Sequence, residues 1–132
     1  MKKVIENIQI FLIGAILYCS IEILFRGYTH WTMFLAGGLC LVILYNTFLH
    51  YKQLSLFKKC LLGSLIITFV EFAFGFVFNM LFDWNVWDYS HFRFNIMGQV
   101  CLLFTALWFF LSVPVVLCIN YLRKMVTNEI NI

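Results

Sequence analysis

The chain has 132 residues, 64% of them hydrophobic and 11% charged, with a formal net charge of +3. A soluble domain is about half apolar and about a quarter charged, and so short a chain has too much surface for its volume to hide such an excess from water. Those figures exclude an ordinary soluble domain and, with the basic residues lying at the ends of apolar runs, a nucleic-acid surface; they call for one domain in a lipid bilayer.

Lys2 and Lys3 precede an apolar run over about 5–25. A signal peptide also begins this way, but no small-residue cleavage pattern follows, and Tyr18 stands before Cys19 where a lipoprotein site wants a small residue. The run is therefore read as a first transmembrane helix. Gly14, Tyr18, Glu22 and Arg26 fall four apart and share one of its faces. After the connection RGYTH, a second helix is expected over 31–51, with Gly37 and Gly38 marking close backbone packing. Lys52, Lys58 and Lys59 lie in or beside the next loop. A third helix is expected over 60–82, with Thr68, Glu71, Gly75 and Asn79 along one polar stripe. The aromatic and acidic segment 83–93 leads to a fourth helix over 94–122, longer than the ~20 residues that cross a bilayer. Pro114 is expected to kink it by crowding the carbonyl of Phe110.

The predicted fold is thus an all-α integral membrane protein of four transmembrane helices. Helices keep every backbone polar group satisfied in lipid, which open strands do not. Seven basic residues (Lys2, Lys3, Lys52, Lys58, Lys59, Arg123 and Lys124) fall on one side and two (Arg26 and Arg93) on the other. That asymmetry places both termini in the cytoplasm. Trp31, Trp84, Trp87 and Tyr89 then form an outer aromatic belt, and Tyr51 and Tyr121 an inner one.

The stretch from Glu71 to Gln99, EFAFGFVFNMLFDWNVWDYSHFRFNIMGQ, concentrates the polar residues that could carry function. An ionisable side chain at the bilayer centre costs about 2.5–3.5 kcal/mol on insertion scales, so it faces a bundle interior and marks a site or a structural pair. Glu71 lies mid-helix, too far from either end to reach an interface. Glu22 has Arg26 one turn away. Both carboxylates read as binding or proton-relay groups, against the plainer reading of an ion pair or hydrogen bond that locks the bundle. Asn79, Asn95 and Gln99 read either as interhelical glue or as the lining of a polar funnel open to the outside. Asp88 is placed to cap the following turn or to pair with Arg93. The five cysteines contain no C-x-x-C pair, and His30, His91, Asp83 and Asp88 lack ligand spacing, so neither a disulfide framework nor a metal site is expected. The chain has no G-x-x-x-x-G-K-[ST] phosphate loop, H-E-x-x-H or G-x-S-x-G motif.

YCSIE (18–22), RG (26–27), GG (37–38), VEFAFGFVFN (70–79), WDYS (87–90), FN (94–95), GQVCL (98–102) and Trp108 together resemble the ABC-transporter type IV (CmpB-like) family of small multi-pass membrane proteins. The resemblance implies a multi-pass protein of the bacterial cytoplasmic membrane that works as a homo-oligomer or beside a partner membrane subunit, with a separate ATPase supplying energy. It carries over Glu22, Arg26, Glu71, Asn79, Trp87, Asp88, Asn95 and Gln99 as candidate substrate-binding positions. The function expected first is a permease-like transport component with an outward-facing polar cavity around Glu71. Its alternatives are a membrane-embedded enzyme or binding protein for a lipid or isoprenoid head group, in which Asp88, Glu71 or Glu22 would act as acid or base, and a structural subunit of a larger complex. No cofactor is expected, and membrane lipids are the standing partners.

Overall fold

The structure, a computed structural model, describes residues 2–131, with side chains described for residues 2–121. Helix α1 spans Lys2–Arg26, α2 Trp31–His50 and α3 Leu56–Phe74. The α3 helix continues as a π-helical stretch, Gly75–Leu81. A hairpin of two short strands, β1 Asn95–Ile96 and β2 Val100–Cys101, precedes α4, Leu102–Asn131. Among the described residues, four helices are long and apolar enough to cross a membrane: Lys2–Arg26, Trp31–His50, Leu56–Leu81 and Leu102–Tyr121. Arg123 and Lys124, two of the residues behind the orientation argument, lie outside those with described side chains.

Local signals set the helix starts. His30 accepts a hydrogen bond from the Thr32 backbone N–H at 3.3 Å as α2 begins. Ser55 does the same for Lys58 at 3.3 Å as α3 begins, which puts that start four residues before the apolar run itself. The helices pair in sequence order, α1 along α2 and α3 along α4, and α2 meets α3 less extensively between the two pairs. Gly14 and Gly37 let α1 and α2 touch. A methyl group at Gly14 would stand 2.5 Å from Leu41 Cβ and 2.7 Å from the Gly37 carbonyl, so only hydrogen fits there. Polar side chains tie the pairs further. Asn46 donates to Asn7 at 3.1 Å and Tyr45 to Glu6 across α1 and α2, and Thr68 and Thr105 share a 2.8 Å hydrogen bond across α3 and α4. The central core of Leu44, Phe48, Cys60, Ile67 and Val116 joins the three helices α2, α3 and α4.

The fourth helix departs from expectation. It begins at Leu102 instead of residue 94, because residues 94–101 form the hairpin. Phe94, Met97 and Gly98 have φ of 57°, 56° and 75°, which no right-handed helix accommodates. Met97 and Gly98 stand at the centre of a turn closed by a 3.0 Å bond from Gln99 N to Ile96 O, with the positive φ values of a type I′ turn. Asn95 and Gln99 therefore belong to a hairpin, not to a helix.

Candidate functional site

The loop between α3 and α4 folds back onto the helix ends. Val86 and Trp87 are buried against Met33 of α2, with Tyr18, Phe74, Phe78 and Tyr89 packed around them. Backbone polar groups buried in such a fold need partners, and here side-chain amides supply several of them. Asn79 donates to Gln99 Oε1 at 2.9 Å and accepts from Val86 N at 2.6 Å. Trp87 Nε1 donates to the Gln99 carbonyl at 2.9 Å, and Gln99 Nε2 to the Met97 carbonyl at 2.9 Å. Asn95 accepts from Gly98 N at 2.9 Å and donates to the Phe92 carbonyl at 2.7 Å. Asp88 accepts from Ser90 N at 2.9 Å, the turn-capping role foreseen for it, and this backbone donor holds its carboxyl below the usual carboxylate range.

Gly75 makes room for the clasp. A methyl group there would lie 2.5 Å from Gln99 Oε1 and 3.0 Å from the Trp87 ring. Five of the eight predicted positions (Asn79, Trp87, Asp88, Asn95 and Gln99) thus meet in one hydrogen-bonded segment. Their polar atoms are directed at one another and at backbone, not into a shared funnel.

The remaining three lie in the helices. Glu22 and Arg26 form an ion pair at 2.9 Å, with side chains 13% and 26% exposed. The Arg26 guanidinium also lies 4.4 Å from the centre of the Tyr28 ring. Glu71 is 6% exposed and lines a small cavity with Tyr18, Met33, Ala36, Cys40 and Trp87. The Trp108 indole N–H is buried beside this carboxylate and, among the described residues, has no hydrogen-bond partner, and Glu22 lies close enough to Glu71 to interact with it electrostatically. Tyr89 completes the group from the loop: burial, followed by the negative charges of Glu71 and Glu22, pushes its phenol up. Its ring stacks on Phe104 at 4.7 Å.

Two carboxylates, an arginine, two tyrosines and a tryptophan therefore share one end of the bundle, with Trp87 covering the innermost carboxylate. Such a group can hold a proton between carboxylates and phenols, or accept a polar ligand's donors. Sequence reasoning included Glu22, Arg26, Glu71 and Trp87 but passed over Tyr18, Tyr89 and Trp108 as site residues. Tyr18 was visible on the helical face of Glu22 and Arg26, one turn before Glu22. Trp108 and Tyr89 had no periodicity to point to them.

A second, larger cavity of about 410 Å³ lies between α1 and α4. It shares Tyr18, Cys40 and Ile67 with the cavity of Glu71, and its lining is otherwise almost entirely apolar. A sequence model of the family described as "Putative ABC-transporter type IV" matches residues 9–132. No solved structure matches the chain.

Proposed function

Because the chain belongs to the ABC-transporter type IV family, we propose that it is the membrane-embedded, permease-like component of a transport assembly, with Glu71 and the Glu22–Arg26 pair as its polar site. The observation that supports this reading is the burial of Glu71 within a membrane-spanning helix at 6% exposure. A carboxylate held away from water and lipid in this manner is costly, which favours a role beyond packing. Its neighbours fit that role: Tyr18, Tyr89 and Trp108 supply hydroxyl and indole groups, and Arg26 supplies the balancing charge. Without a phosphate loop in this chain, ATP hydrolysis falls to a separate subunit. The protein would sit in a bacterial cytoplasmic membrane with both termini inside.

Affinity purification from native membranes in mild detergent, with mass spectrometry of the bound proteins, tests the reading. A stoichiometric ATPase is expected. The Glu71→Gln variant should keep that partner and lose transport-coupled ATP hydrolysis by at least ten-fold. Recovery of the chain alone, or a variant of undiminished activity, would overturn the assignment.

A further inference from the structure

The larger cavity has a definite shape. Ile10 to Ile21 mark its extent along α1, which at 1.5 Å per residue is about 16 Å. Half the hydrocarbon thickness of a bilayer is about 15 Å. Tyr18 and Trp108, with ring centres 6.1 Å apart, meet across its upper part. Gly37, Cys40 and Leu41 of α2 form its back, and Leu111, Pro114 and Val115 line the α4 side. Among the described residues, α1 and α4 make no extensive backbone contact, so the cleft opens sideways between them, toward lipid.

Size decides what fits. A single hydrocarbon chain suits the volume, which falls in the usual range of small-ligand sites, about 300–1,000 Å³. An empty cleft would deprive every wall residue of contacts on one side. Charge decides the orientation. Glu22 and Arg26 continue the face of Gly14 and Tyr18 just beyond the upper end of the cleft, and their ion pair presents a cation and an anion together. A phosphate beside an ammonium is the complementary arrangement.

We infer that the cleft between α1 and α4 binds one acyl chain of a zwitterionic phospholipid, with the head group against the Glu22–Arg26 pair. The chain enters sideways from the leaflet on the Arg26 side and lies along Gly14 and Leu17. Tyr18 and Trp108 separate it from the cavity of Glu71. Placing the head group at Glu22–Arg26 rests on the reading of that pair as part of the polar site; the chain position rests on the cleft alone.

The test reconstitutes the full chain in phosphatidylethanolamine–phosphatidylglycerol bilayers containing a phosphatidylethanolamine with a diazirine at the middle of one acyl chain. After irradiation, adducts are mapped by peptide mass spectrometry. Adduct yield at Leu41 and Leu111, which line the cleft and are partly buried, should exceed that at the exposed Phe69 and Phe110 by at least five-fold. Leu111→Trp, which fills the cleft, should lower the Leu41 yield at least three-fold and leave Phe69 unchanged. Val115→Phe serves as the milder filler should the first variant lose helical circular dichroism. Equal yields everywhere would mean surrounding bulk lipid only and overturn the inference. An adduct-free cleft with Cys118 cross-linked to a second copy would overturn it in favour of a protein occupant. A protein that captures no chain yet retains an ATPase leaves the transport reading standing, and the converse removes the transport reading alone.

Discussion

Gln99 engages three groups: the Asn79 amide, the Trp87 indole through its backbone carbonyl, and the Met97 carbonyl. Gln99→Leu removes the side-chain partners and leaves the half-buried Asn79 donor unsatisfied. A loss of about 1–3 kcal/mol is expected, read from denaturant unfolding of the detergent-solubilised protein. Asp88 makes a different prediction. Its carboxyl is depressed in the folded loop by the Ser90 backbone N–H, so its contribution is present above the ordinary carboxylate pKa and lost as pH falls through the depressed one. Hydrogen exchange at Ser90 should therefore accelerate in acid beyond the intrinsic trend, and Asp88→Asn should abolish that extra acceleration. These polar residues were legible as a group in the sequence. Their roles were not, because an Asn that clasps backbone and an Asn that lines a cavity read alike until the backbone path is known.

At the scale of elements, hydropathy located the four spans because a run of about 20 apolar residues has few other destinations. It failed at 94–101, where FNIMGQVC continues the apolar character while Met97 and Gly98 turn the backbone. The π-helical stretch from Gly75 was equally hidden. The spacing of four that joined Glu71, Gly75 and Asn79 assumes an uninterrupted α-helix, whereas wider turns carry Asn79 toward Val86 and Gln99. Packing between elements yields a sharper test. Gly37→Leu would drive a side chain into Tyr18 and the Gly14 carbonyl. We expect α1 and α2 to separate, with at least about 1–3 kcal/mol lost to overpacking, measurable by the same unfolding assay.

For the whole molecule, the orientation argued from basic residues makes a direct prediction. In a background stripped of native cysteines, Gln53→Cys and Ser90→Cys, both at exposed positions, should react with impermeant maleimide from opposite faces of the membrane, position 90 from outside. Labelling from one face would exclude the four-span topology. The overall architecture was legible because the bilayer restricts spanning segments to helices and barrels. The pairing of helices and the position of the cleft were not, since both depend on where glycines and large side chains meet across helices distant in sequence.

The pairing of α1 with α2 and of α3 with α4 bears on how the protein is made. Each hairpin finds most of its contacts within itself, so each can enter the membrane and close before the other exists. The join between them, where Trp87 meets Met33 and Ile67 meets Leu44, then forms as a docking step between two finished halves. Segments 1–53 and 54–132, synthesised from separate messages in one cell, should accordingly find each other and co-purify as a complex.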